Sequence, residues 1–441
     1  MKTILSLLIF VVLTIWIGQI YLSNKKKFRA VEYGKGEYYL LSQNMYFVIF
    51  TMCTAPIFLG SLALLKYGLW FMIVLLLLLM GRVRMKFDVI IVMYLIFFFW
   101  LCCTMTYTTA PRDGFMLLIK FIFPILFLWL GYSAIRNEKD LVIFLKVVNV
   151  AACVYCMFIG GQGSKLLPRL YYGPIGGQFL SYAGFADFLT SIFVIPIILY
   201  WLTKEKKYIF CALWMVLSTV LESVRTGMGG MLLVFGVALL LRYKVKALPG
   251  LFFAGAMFLC VVLFVPQVNE KFFGEDAGTV SANDIVRGDA MSMDNINTSG
   301  RAAMWEMILD ECYKGNETFG SGLGVSMRFL KDWAAKSGKA GLMHNDYVQI
   351  ISDTGIVGIV LICLFYVVFL LKGITYVVLS KTSTCVKITG IMAVSSMVGI
   401  AFSMYYDNVV SHSMSSLVMP FIFLGFFLKF IDIDADKRLF K

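Results

Sequence analysis

Charge is scarce in this 441-residue chain: 15% of residues are charged, against 60% apolar and 16% aromatic. An ordinary soluble protein carries about 25% charged residues, so the shortage excludes a soluble globular class. Histidine is scarcer still, with two in the whole chain. Two distant histidines, and no D-x-D pair in the outward segments, argue for metal-independent chemistry without a cofactor. Cysteine is not rare, at ten, but cysteine in polar sequence is. Cys53, Cys102, Cys103, Cys153, Cys156, Cys211, Cys260 and Cys363 lie in apolar runs and Cys385 in a short basic loop, leaving Cys312 alone in a long polar region. That distribution argues against a disulfide framework, and the C-x-x-C at Cys153–Cys156 reads as two small buried residues. No small-residue cleavage site follows the first apolar run, which therefore reads as a retained helix.

Long apolar runs are what the chain has instead. Each is long enough to cross about 30 Å of hydrocarbon as a helix. Thirteen candidate spans follow: 3–22, 43–64, 67–81, 88–106, 114–131, 140–159, 179–202, 208–223, 226–241, 247–265, 349–371, 388–405 and 411–430. The fold class expected is an all-α polytopic membrane protein of twelve or thirteen transmembrane helices. The basic residues decide between the two counts. "NKKKFR", "GRVRMK", "IRNEK", "KEKK", "RYKVK", the Lys372–Lys387 loop and the "DKRLFK" tail fall on one side only if thirteen spans alternate. The short segments opposite hold Lys2, Lys66, Arg112, Lys165, Arg169 and Arg225. The positive-inside rule then places the N-terminus outside and the C-terminus inside. The same rule accounts for most of the net charge of +13, so no nucleic acid partner is expected.

On this reading residues 1–265 carry ten spans, 266–345 form a large, partly helical extracytoplasmic loop or lid, and 346–441 carry three spans and a cytoplasmic tail. Within the lid, "SGRAAMWEMILDECYKG" reads as a short amphipathic helix. Ser299 is its N-cap, Trp305, Ile308, Leu309 and Cys312 share a face, and Gly315 ends it. "GSGLG" at 320–324 reads as a loop, and residues 332–340 as a further turn of helix.

Several polar residues converge on the outer face. Arg169, Arg225 and Arg301 stand where the positive-inside rule least expects arginine, which points to an anionic ligand. Guanidinium offers planar paired donors suited to a diphosphate, and Arg301 near a helix start would add backbone donors. The competing reading is arginine reaching to lipid headgroups. His344 opens the eleventh span beside Asn345 and Gln349, whose amides suit sugar hydroxyls. Histidine ordinarily titrates near pH 6.5, so its neutral form can accept a hydroxyl proton; a helix-capping histidine is the alternative. His412, near Asp407 and Asn408, favours a structural role. Ionisable groups inside spans mark functional candidates: Lys120 for phosphate, Asp187 as a partner for such a cation, and Glu222 three residues from Arg225. The glycines of "GSGLG" offer backbone N–H groups to an anion.

At these residues the chain resembles the O-antigen ligase and polysaccharide polymerase superfamily, the Wzy/WaaL-like membrane proteins. "HNDYVQIISDTGIVGIVL" is similar to the family's histidine block, with Asp353 at its acidic position. "SGRAAMWEMILDECYKGNETFGSGLG" resembles the preceding region, and "SVRTGMGGMLLVFGVALLL" the element that opens a helix with serine and arginine. "YYGPIGGQFLSYAGFADFL" is a looser match that lacks the usual asparagine, and the lid lacks the common proline before its glycines. The resemblance covers roughly residues 165–430. It implies a GT-C-like helical fold in the bacterial inner membrane, with the active site on the extracytoplasmic face.

The activity implied is metal-independent, inverting transfer of a glycan from a polyprenyl diphosphate carrier to an acceptor hydroxyl. Arg225, Arg301 and Arg169 would hold the diphosphate, His344 would deprotonate the acceptor, and Asn345, Gln349 and Lys120 would bind substrate. The partners implied are the polyprenyl-diphosphate-linked oligosaccharide, the acceptor glycan, membrane lipids, a flippase and a chain-length regulator. The leading reading is a polymerase of capsule, exopolysaccharide or O-antigen. The alternative is a ligase that passes finished glycan to lipid A-core or protein. A transporter of anionic solutes would need midplane polar residues and repeated halves, and a non-catalytic scaffold would leave the outer arginines unexplained.

Overall fold

The computed structural model describes residues 86–135, 137–163, 182–273, 301–338 and 343–439. The first three expected spans, Arg169 with its loop, Ser299 and much of the lid fall outside the described residues. Among the described residues every regular element is helical. The helices are α1 (Val89–Thr104), α2 (Pro111–Ala134), α3 (Glu138–Gly163), α4 (Tyr182–Ile192), α5 (Val194–Thr203), α6 (Lys207–Leu221), α7 (Arg225–Tyr243), α8 (Leu248–Phe264), α9 (Pro266–Phe273), α10 (Arg301–Ile308), α11 (Val325–Ser337), α12 (Asp346–Ile374), α13 (Thr384–Tyr406) and α14 (Val418–Leu439). Among the described residues six helical stretches are long and apolar enough to cross a membrane, one of them the α7–α8 pair run together.

The sequence sets these boundaries by ordinary means. The Asp88 carboxylate caps α1 by accepting from Ile90 N–H at 3.2 Å. Pro111 stands at the first turn of α2, where its missing N–H costs nothing. Asn345 caps α12 and Ser383 caps α13.

Side-chain contacts fix relative directions. Lys372 pairs with Asp88, and Trp100 Nε1–H donates to the Thr354 carbonyl at 3.0 Å, so α1 and α12 run antiparallel. Leu239 meets Gly250 while Met228 packs with Val262, so α7 and α8 form an antiparallel hairpin. Gly227 lies against Ala186 and Gly230 against Thr190, so α4 and α7 run parallel. One end of the bundle thus gathers Asp88, Lys372, Lys86 and Asp432, with Lys86 bonded to Asp432 at 2.8 Å. The other gathers Asp346, Arg225 and the connection between α13 and α14.

Inside, Tyr94 stacks edge-on against Phe365 and Phe421 at 5.2 and 5.0 Å, and its hydroxyl donates to the Phe121 carbonyl at 2.6 Å. In lipid such helices gain little from leaving water and rely on close packing and polar contacts. The small residues that meet at Gly230–Thr190 and Gly399–Val234 allow that approach. The outside is different in kind. On α8, Phe252 is 80% exposed, Phe264 76%.

The structure corrects the sequence reading of 349–371 as one straight crossing. Helical backbone breaks at Gly355 (φ 67°, ψ −168°). Tyr347 and Tyr366 are nineteen positions apart, about 28 Å along a straight helix. Yet their hydroxyls bond the Ala401 carbonyl and Met404 Sδ, atoms of neighbouring turns in α13. The two arms of α12 therefore fold toward each other about Gly355.

The lid closes over that break. Ser321 N–H and Gly322 N–H donate to the Ser352 and Asp353 carbonyls at 3.0 Å, and Ile356 N–H donates to the Glu317 carbonyl at 2.8 Å. A methyl group on Gly355 would run into the Thr318 carbonyl, and its positive φ suits glycine. Gly355→Ala is expected to lose roughly 2 kcal/mol or more of stability, read as a drop in unfolding midpoint in detergent.

Two lid expectations also change. The helix expected at 332–340 begins at Val325, directly after the glycine loop, and ends before Gly338 (φ 69°). The helix carrying Arg301 widens into a π turn over Leu309–Tyr313, with Ile308 and Cys312 buried against Leu330 and Met343.

Candidate functional site

His344 sits in the last extended stretch before α12 with φ +50°, a left-handed conformation that a non-glycine residue adopts at a cost. What holds it there is the connection after α13. The His344 N–H donates to Asn408 Oδ1 at 2.8 Å, and its ring Nδ1 lies 3.1 Å from Asp407 Oδ1. That same Asp407 oxygen accepts the Asn408 N–H at 2.8 Å. Two residues on, Asp346 Oδ2 accepts the Val410 N–H at 3.0 Å. Residues 407–410 therefore clasp residues 344–346 through side chains on both partners. The imidazole keeps 23% of its side-chain surface exposed while Asp407 keeps 9%. With the proton on Nδ1 and held by Asp407, Nε2 is the basic nitrogen.

Arginine stands beside this pair. Arg301, the first residue of α10, donates from Nη1 to the Tyr406 carbonyl at 2.6 Å, one residue from Asp407. Its helix is docked by Trp305, whose Nε1–H donates to the Met343 carbonyl at 2.8 Å and whose ring meets Tyr405. Half-burial lowers the Arg301 guanidinium from its ordinary value, and the Asp407 carboxylate opposes that shift. Arg225, the first residue of α7, lies within the electrostatic reach of Arg301, with its guanidinium 5.9 Å from the Phe272 ring. The positive charge of the two guanidinium groups suits an anionic ligand.

Beneath lies a buried polar layer. Lys120 of α2 is within electrostatic reach of Asp346, and Asp187 of Asp346 and Asp407. The expected Lys120–Asp187 pairing is not what forms: Asp187 is fully buried, and neither of its oxygens has a hydrogen-bond partner among the described residues. His412 packs over Gly184 of α4.

Asn345 is 1% exposed, and its Oδ1 accepts the N–H groups of Tyr347 and Val348 at 3.0 and 3.1 Å, so it caps α12. Gln349 is buried one turn further in. Glu222 ends α6 whereas Arg225 begins α7, so the three-residue spacing is not that of helix neighbours. One glycine of "GSGLG", Gly324, does present its N–H to a carboxylate, and that carboxylate is internal. Gly324 and Ser326 N–H donate to the two Asp353 oxygens at 2.8 and 2.9 Å.

Sequence reasoning assigns His344, Arg225, Arg301 and Lys120 to one end of the bundle; in the structure Arg301 bonds the residue before Asp407, the partner of His344, with Arg225 in electrostatic reach of Arg301 and Lys120 of Asp346. Sequence reasoning misses Asp407, which it places only as a neighbour of His412. The available signal was an acidic residue at the outer end of an apolar run, where ionisable groups are costly. Among the described residues no group of three or more acidic, histidine or cysteine side chains is arranged to hold a metal ion.

Among the described residues, wholly helical structure with several membrane-length apolar helices and a His–Asp pair beside Arg301 defines a membrane protein with a polar site at one end of its bundle. Residues 210–363 match the family model described as O-antigen ligase. The matched segment contains Arg225, Arg301, His344, Asn345 and Gln349 and stops short of Asp407. No curated protein matches the chain.

Proposed function

We propose that this protein is a cell-surface polysaccharide polymerase. It moves a glycan from a polyprenyl diphosphate carrier to an acceptor hydroxyl at the outer leaflet of a bacterial inner membrane. The observation that carries the reading is the 3.1 Å His344–Asp407 pair with Arg301 anchored one residue away. His344 takes the proton of the acceptor hydroxyl through Nε2 as the hydroxyl oxygen attacks the anomeric carbon. Asp407 orients the ring and balances the imidazolium that forms. Arg225 and Arg301 hold the diphosphate and stabilise the charge it gains as the glycosyl bond breaks. The leaving group is already activated, so the protein's contribution is positioning, a base and fixed positive charge. Attack opposite the leaving group inverts the anomeric centre. Asn345 and Asp353 serve by fixing the arm that carries His344, and Lys120, Gln349 and Arg169 are assigned to substrate.

A ligase reading shares this chemistry and differs in the acceptor; the family description is what favours it. Chain-length profiling of a deletion strain separates the two. Loss of long chains with single repeat units still on the acceptor supports the polymerase. Free polymer left on carrier lipid would overturn it in favour of the ligase. A flippase and a chain-length regulator complete the proposed pathway.

A further inference from the structure

Aromatic rings cluster at the end of α13 that carries the site. The Phe402 and Tyr406 ring centres lie 5.1 Å apart, those of Tyr406 and Tyr405 4.9 Å, and those of Tyr405 and Trp305 5.7 Å. This chain of contacts runs from α13 to the lid helix α10. Its two ends are tied down: Phe402 packs against Gly229 of α7, and Trp305 bonds the Met343 carbonyl. The tyrosines between them stay open, Tyr405 at 42% exposed and Tyr406 at 41%, and neither hydroxyl bonds another described residue. Their backbone belongs to the site. Arg301 donates to the Tyr406 carbonyl at 2.6 Å, and the next residue, Asp407, holds His344. Both rings are therefore rooted within two residues of the carboxylate that orients the base.

We propose that Tyr405 and Tyr406 form the subsite for the donor sugar joined directly to the diphosphate. The inference rests on the functional reading above and adds a determinant of donor specificity. That sugar must lie between the anion held at Arg301 and the acceptor hydroxyl at His344, and these tyrosines are rooted between those two groups. A pyranose presents flat C–H faces and a rim of hydroxyls. A tyrosine ring matches the face, and its O–H, able to donate and accept, matches the rim. Tyrosines at a membrane surface also anchor among lipid headgroups. Here the rings pack on one another and on the lid, and their backbone is bonded into the site, which favours a ligand over the bilayer.

The test measures equilibrium binding of two lipids to the purified full-length chain in nanodiscs. One is polyprenyl diphosphate carrying a single repeat unit from the parent strain; the other is polyprenyl diphosphate with the same tail and no sugar. Tyr405→Ala and Tyr406→Ala should each weaken the sugar-bearing lipid roughly tenfold and leave the sugar-free lipid unchanged. Tyr405→Phe and Tyr406→Phe keep the rings and their packing, and should weaken the sugar-bearing lipid alone by roughly threefold. These two carry the test if the alanine variants fail to fold. Phe264→Ala, an exposed ring at the end of α8, should alter neither affinity. Equal weakening of both lipids would overturn the subsite in favour of a membrane anchor, and unchanged binding of both would overturn it outright. In either case transfer by the unaltered protein still stands. An unaltered protein that binds neither lipid would overturn the functional reading, and the subsite with it.

Discussion

His344→Ala is expected to lower glycan transfer on the order of 10²–10⁴-fold, the usual contribution of a positioned general base. Protein abundance and unfolding midpoint should change little, because the ring is partly exposed and its neighbours are held by backbone and carboxylate bonds that survive its loss. Asp407→Asn should fall in the same range with KM nearly unchanged. An amide that donates to Nδ1 would leave the proton on Nε2, the nitrogen that must be empty. Measuring kcat and KM separately matters for this variant, since a purely structural loss would lower active fraction without reporting on tautomer. Rescue of Asp407→Asn activity at high pH would contradict the tautomer argument.

Loss of Arg301 carries the second large effect. Arg301→Ala should cost roughly 10²–10³-fold in turnover, as removal of one fixed donor to a developing anion does elsewhere. Arg225→Ala should act similarly, and the double variant should lose less than the product of the two, because both serve one anion. Lysine at either position restores charge but not the planar pair of donors, so only partial recovery is expected. Protection by pyrophosphate gives an independent reading: it should raise the unfolding midpoint of the unaltered protein and fail to do so in the double variant. Full pyrophosphate protection of the double variant would place the diphosphate elsewhere.

Much of this was legible in the sequence because membranes impose simple constraints. Lipid forces backbone polar groups into helices, so apolar length located the membrane-length helices among the described residues. Misplaced positive charge singles out Arg225 and Arg301 as candidates. What could not be read was anything set by a break in periodicity. Gly355 inside an apolar run looks like any membrane glycine, and only the lid segment at Glu317–Gly322 shows why its backbone must turn. Asp353 read as a motif position and proved to be the anchor for the glycine loop. Asn345 read as a sugar ligand and proved to be a helix cap, a role asparagine fills by local geometry. Asp407 lies 63 residues from His344 in the chain, and pairing across that distance leaves no local pattern.

The most direct test is single-turnover transfer by the purified chain from a synthetic polyprenyl-diphosphate glycan in the presence of chelator. Unaltered protein should form inverted glycoside and release polyprenyl diphosphate, and His344→Ala should bind the donor equally well yet form no product. Equal product from both proteins would contradict the role given to His344 and the site built around it.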